Sequence, residues 1–200
     1  MGEEWDLGEF GDPLSLLHQW SVAAALIGLG DAIGRPTTLH AVPTWKAIEQ
    51  AEPAFAARVR QLFDSGRHKT IATLHADGSP RISGIECEFA DGELRFGSMP
   101  SSRKGADLGR DPRFALHGPT VHPEEGKERE WPGEAKISGR ALRVSLEADG
   151  GGADGGEPAD GEAFVADITE VVITGLNEEA TKLVVEWWTP QHGLRRVERD

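Results

Sequence analysis

The segment Gly97-Ser98-Met99-Pro100-Ser101-Ser102-Arg103-Lys104-Gly105 gathers the residues of this chain best suited to chemistry. It leaves a predicted strand and opens a predicted helix. Such a junction offers unbonded backbone N–H groups and the positive end of a helix dipole. Hydroxyls of Ser98, Ser101 and Ser102 and the cations Arg103 and Lys104 complete a donor set suited to a phosphate. Charge-assisted bonds of this kind contribute about 1.5–3 kcal/mol each when partly buried. Cations at a helix start oppose the dipole, so an anion there would offset them; the bland alternative is a solvated Arg-Lys pair.

Other reactive residue types fall in weaker settings. Cys87 is the only cysteine, which excludes an internal disulfide and any Cys-cluster zinc site. Its neighbours Glu86 and Glu88 should raise the thiol pKa and leave it inert. His68, His75, His117 and His122 lack the H-x-x-x-H spacing of a metal site, and no metal is expected. No G-x-S-x-G elbow is present.

The elements that must position the 97–105 segment follow from punctuation. Thr44 can cap a first helix carrying Trp45 and Ile48. Pro53 suits the first turn of a second, with Phe55, Val59, Leu62 and Phe63 on one face. After Gly66 the period becomes that of strands, over 68–76, 80–89 and 93–98. The turns between them are Asp77-Gly78-Ser79 and Asp91-Gly92. A short helix is predicted over 101–109, stopped by Asp111-Pro112. Further strands are predicted over 113–118, 135–147, 165–176 and 182–189. Six or seven mostly antiparallel strands with short flanking helices make a mainly β fold of α+β type, a small barrel.

Charge sets further bounds. The 200 residues carry a formal net charge of −13, which argues against a general nucleic-acid or anionic-membrane binder. Residues 1–43 hold six acidic side chains and one basic one, and the run 148–162 holds five acidic side chains and six glycines. The remainder carries about −3, an ordinary globular balance. The Gly-Asp run cannot offset its ordering entropy by burial and reads as a flexible loop. Residues 1–43 read as a disordered tail, as an amphipathic docking helix, or as a stretch preceding a start at Val42. Every charge before the apolar run Trp20–Leu29 is acidic, unlike a signal peptide. No stretch approaches the ~20 apolar residues of a membrane-spanning helix. A reducing cytoplasm is the expected compartment.

The order of His68-Lys69-Thr70-Ile71-Ala72-Thr73-Leu74, Asp77-Gly78-Ser79-Pro80-Arg81, the stretch from Phe96 to Lys104, and Asp111-Pro112-Arg113 resembles the pyridoxamine 5′-phosphate oxidase-like flavoproteins. The resemblance spans roughly residues 45–200. It implies the FMN-binding split-barrel fold, a homodimer, and cofactor at the subunit interface. It also implies that Arg103 and Lys104 hold the FMN phosphate, with Gly97, Ser98 and Ser102 lining the cofactor. Arg81 and Ile82 stand at the opening of the family's R-x-x-x-L-K flavin motif. The ending Glu186-Trp187-Trp188…Leu194-Arg195-Arg196-Val197-Glu198-Arg199 is similar to the family's E-F-W-Q…R-L-H-D-R. With one residue inserted, Trp188, Arg195 and Arg199 match. On the residues alone, alternation along a strand puts one of Trp187 and Trp188 in the core.

Departures from the pattern narrow the function. Glu86 replaces the Lys that closes the flavin motif, Val197 replaces the terminal His, and the chain has no tyrosine. A buried dianion needs paired donors, so pyridoxamine phosphate should bind poorly and that activity is not expected. Glu86, where it faces the pocket, would disfavour an anionic substrate near the ring. The resemblance leaves three readings: an FMN-dependent oxidoreductase, a reductase using the deazaflavin coenzyme F-420, and a flavin- or haem-binding module without turnover. Trp131, in the loop 119–132, either caps the partner subunit's cofactor or anchors its own loop. The substrate is a small molecule that the sequence does not name.

Overall fold

The computed structural model describes residues 44–144 and 161–199. Expectations for 1–43 and for the Gly-Asp run up to residue 160 lie outside the described residues. Within them nine strands join one antiparallel sheet. They are β1 (Lys69–Leu74), β2 (Pro80–Ile85), β3 (Cys87–Ala90), β4 (Glu93–Ser98), β5 (Arg113–His117), β6 (Glu134–Val144), β7 (Glu162–Leu176), β8 (Leu183–Thr189) and β9 (Gly193–Arg199). Three helices accompany them: α1 (Trp45–Ala51), α2 (Pro53–Asp64) and α3 (Arg103–Arg110).

The sheet order is β2-β1-β5-β6-β7-β4-β3. β2 and β3 stand at opposite ends of that order, yet they follow one another in the chain through Glu86. β2 pairs with β1, β3 pairs with β4, and β2 also touches β4. The sheet therefore curls into a barrel whose closure is one bent segment of chain. This corrects the expectation of a single strand over 80–89. The chain stays extended through Glu86 but changes partner there, and alternation does not record a change of partner.

β7 is the longest strand and organises the rest. Its first residues pair with β4, from Glu162↔Ser98 to Val165↔Arg95. Its far half pairs with β8, from Val171↔Trp188 to Leu176↔Leu183, and β9 adds to β8 alone. Glu162, expected in the flexible run, is thus a strand residue, and β9 was not among the predicted strands. The β6–β7 register shifts between Ser138 and Gly139, which pair with Glu170 and Ile168, so that Thr169 of β7 is the extra residue of a bulge. A methyl on Gly139 would fall on the Asp167 carbonyl oxygen, so the close strand approach requires glycine there.

Both Asp-Gly turns form. Asp91 (φ 52°) and Gly92 (φ 77°) occupy the left-handed region that a two-residue hairpin turn demands. α2 begins with Pro53 and buries Phe55, Val59, Leu62 and Phe63. Thr44 stands at the N-cap of α1, but its side chain makes no capping bond; its carbonyl accepts from the Ala47 N–H at 3.0 Å instead. Both helices cover the barrel with Trp45 and Phe63 against Phe89, at centroid distances of 4.4 and 5.8 Å. Phe96, Phe114 and Phe164 fill the interior with Ile71, Leu94, Leu116, Ile137 and Ile168. Each fully buried side chain of this size contributes about 1.5–3 kcal/mol.

Candidate functional site

The predicted strand-to-helix junction forms, two residues later than expected. Ser101 takes a left-handed conformation (φ 57°), Ser102 becomes the N-cap, and the helix runs from Arg103. A non-glycine residue in that region costs about 1 kcal/mol or more, so the surrounding structure holds the turn in place. Ser102 Oγ accepts from the Gly105 N–H at 3.0 Å and makes a short contact with Ser98 Oγ. Ser98 is buried at the end of β4. The backbone N–H groups of Arg103 and Lys104 make no hydrogen bond among the described residues, as expected of the first helical positions.

The two cations differ. Arg103 is exposed and forms no hydrogen bond or ion pair among the described residues. Lys104 is half-buried, and its Nζ donates only to the Gly84 carbonyl of β2 at 3.1 Å. Burial lowers the Lys104 pKa, since no carboxylate stands beside the ammonium to restore its charged form. An ammonium in that setting, two unbonded N–H groups and a free guanidinium fit a phosphate monoester by the chemistry of their donors.

A carboxylate also lies here. Glu162 faces Ser98 across the β4–β7 pair, and its Oε1 meets Arg143 at 2.7 Å. Its Oε2 is buried without a hydrogen-bond partner. A methyl on Gly105 would fall on that oxygen, so glycine in the first turn of α3 admits Glu162. This contact was not legible in the sequence, where the two residues are far apart.

Arg81, matched to the opening of the flavin motif, is held from within the chain. Its Nε donates to Asp107 Oδ2 at 2.6 Å, and its Nη2 meets His75 Nδ1 at 2.9 Å. Asp107 is buried on α3 and also accepts from Thr73 Oγ1 (2.9 Å) and Arg110 Nη2 (2.8 Å). Burial alone would raise the Asp107 pKa, but bonds from Arg81, Arg110 and Thr73 outweigh it and hold the carboxyl at about 2. Sequence reasoning missed Asp107. Its signal is the i, i+3 spacing from Lys104, which puts both on one face of α3.

The remaining matched residues separate into two groups. Gly97 lies beside Ser98 on β4, and Ile82 lies on the outer face of β2, 75% exposed. Trp188 and Arg199 belong instead to the β8–β9 hairpin. Trp188 is a core residue opposite Leu194, whereas Trp187 stands on the other face opposite Arg195. Arg199 is exposed and faces Leu183. Nine residue steps along β7, roughly 30 Å of extended strand, lead from Glu162 at the α3 end to Val171 opposite Trp188.

Glu86 turns to Arg67, which donates to it at 2.9 Å. The Cys87 thiol is raised to about 12, as its acidic neighbours suggested, but burial is the main cause. Trp131 lines a hollow of about 300 Å³ with Arg58, Glu186 and Arg196. Among the described residues no group of three or more His, Cys, Asp or Glu gathers as metal ligands would, and no helix is long and apolar enough to cross a membrane.

No family model and no curated protein matches the chain. Solved structures do. An FMN-binding protein related to pyridoxamine 5′-phosphate oxidase, from Nostoc punctiforme, is 12% identical over 74% of this chain and 96% of its own, with a TM-score of 0.52. PhzG from Burkholderia lata, solved with tetrahydrophenazine-1-carboxylic acid, is 12% identical over 96% and 94%, with a TM-score of 0.48. An F420 reductase is 18% identical over 56% of this chain and 94% of its own, with a TM-score of 0.41. The Nostoc likeness shows the architecture: this chain has the split-barrel fold of the pyridoxamine 5′-phosphate oxidase-like proteins.

Proposed function

We propose that the chain is a flavin-dependent oxidoreductase that binds FMN at a homodimer interface and passes hydride to or from a small substrate. The observation that carries the reading is the first turn of α3. There a desolvated ammonium, unbonded N–H groups and a guanidinium without an ion pair among the described residues follow one another, while the one carboxylate admitted to the turn, Glu162, is paired with Arg143. A bound flavin supplies the hydride-carrying ring, and the deazaflavin coenzyme F-420 would supply the same chemistry with a longer anionic tail. In this reading Lys104 and Arg103 hold the phosphate. Ser98 and Ser102 shape the turn, and the barrel wall behind Gly97 keeps water from one side of the cofactor.

The separation along β7 supports a dimer. Two clusters about 30 Å apart on one strand do not serve one cofactor from one chain. In a homodimer the α3 cluster of one subunit meets the β8–β9 hairpin of the other, where Arg199 and Trp187 are the outward residues. The outer face of the sheet suits such an association. Ile82, Ala72 and Ala115 lie side by side across β2, β1 and β5, and Met99 is 56% exposed nearby in sequence to Lys104. This apolar row is the surface on which the proposed association would bury area.

Lys104→Ala should weaken FMN binding at least tenfold in a flavin-fluorescence titration. Unchanged affinity in Lys104→Ala, and again in the Arg103→Ala, Lys104→Ala double variant, would remove α3 from the site.

A further inference from the structure

We infer that Asp107 is a positioning residue of the cofactor site, acting through Arg81 and through the seating of α3 on β2. The inference rests on the reading of the α3 turn as a phosphate anchor. Two tethers, three residues apart on the helix, fix the seam between the two elements. Lys104 Nζ bonds the Gly84 carbonyl, and Asp107 bonds Arg81, three residues earlier on the same strand. Together they set both the roll and the slide of α3, and so the place of its first turn against β2.

Asp107 also orients the guanidinium itself. With Nε on Asp107 and Nη2 on His75, the planar fork is locked, and Nη1 is the one nitrogen left without a bond among the described residues. A locked guanidinium presents a single aimed donor to a ligand phosphate and loses little rotamer freedom on binding. Arg110, on the outer side of Asp107, does not share this role. It takes the other carboxylate oxygen and the Leu74 carbonyl, and touches neither Arg81 nor Lys104. Thr73 fixes Asp107 from β1, directly opposite Arg81 in the strand register.

The test is the ratio of affinities for a cofactor with and without its phosphate. FMN against riboflavin is one pair; the deazaflavin coenzyme against its phosphate-free chromophore is the other, and whichever pair binds is used. Asp107→Asn should lower affinity for the phosphorylated form about tenfold and change the other less than threefold. Arg110→Ala should leave the ratio as in wild type even where it lowers stability. If Asp107→Asn does not fold, Arg81→Lys keeps the charge without the fork and should show the same collapse of the ratio. A folded Asp107→Asn or Arg81→Lys with the wild-type ratio overturns the inference. So does an Arg110→Ala variant whose ratio falls as far, because the effect would then be general loosening. A wild type that binds neither pair, or both members alike, overturns the phosphate anchor itself.

Discussion

Replacing Asp107 by Asn should cost stability in a way that depends on pH, and the structure gives both the size and the sign. The carboxylate is buried and takes Arg81 at 2.6 Å, Arg110 at 2.8 Å and Thr73 at 2.9 Å. Removing one partner of a buried pair typically costs 3–5 kcal/mol. Asn keeps one oxygen acceptor, so about 3 kcal/mol is expected at pH 7. Part of this resides in the charge. The folded carboxyl titrates at about 2, against an unfolded value of about 3.9. That lowering converts to about 2–3 kcal/mol, and solvent screening at the half-exposed Arg110 end reduces it to about 1–2 kcal/mol. A depressed acid stabilises the fold above its unfolded pKa, and the contribution is lost as pH falls from about 4 through 2. The charge part should fall by about half at pH 3, so the gap between wild type and Asp107→Asn should shrink by roughly 0.5–1 kcal/mol, about a quarter of its value at pH 7. Urea unfolding midpoints and slopes at pH 7, 4 and 3 measure it. A gap that stays constant across that range would refute the charge argument and leave Asp107 as a packing residue.

Gly105→Ala should cost about 1 kcal/mol, because its methyl must displace the Glu162 carboxylate. In a Glu162→Ala background only Ser98 Oγ, 3.0 Å from the added methyl, remains in its way, so the cost should fall to near zero; an equal cost in both backgrounds would deny the Glu162 contact. Cys87, with its thiol at about 12, should resist a disulfide reagent at pH 8 in the folded protein and react at once in urea. Fast modification of the native protein would contradict its burial. Arg58→Ala breaks a two-pronged bond to Glu186 at 2.6 and 2.8 Å. The pair is partly exposed, so the loss should be about 0.5–1 kcal/mol and should shrink in high salt. A loss unaffected by salt would point to packing instead.

The barrel was legible where turns carried their own chemistry. Asp91-Gly92 needs two left-handed residues, so the β3–β4 hairpin could be read from two letters, and β4 occupies the expected 93–98. The bend at Glu86 was not legible, since a strand that changes partner keeps its alternation. β9 was missed because four of its seven residues are charged and it pairs only with β8. Such a polar edge strand carries little apolar signal. In the site, Lys104 could be read from its place at the predicted strand-to-helix junction. Asp107 could not: an acid in a short glycine-containing helix reads as solvated until Thr73 and Arg81 arrive from another hairpin. For the two adjacent tryptophans, alternation required that one be core; only the register against Val171 showed that it is Trp188.

The central claim is that the first turn of α3 anchors a flavin-type cofactor at a dimer interface. Its most direct measurement is an equilibrium titration of the wild-type protein with FMN and with the deazaflavin coenzyme, followed by visible absorption with light scattering on the same samples. Saturation by one of them at one cofactor per chain, on a dimer, is the expected result. No saturation with either, or full saturation of a strict monomer, would contradict the account.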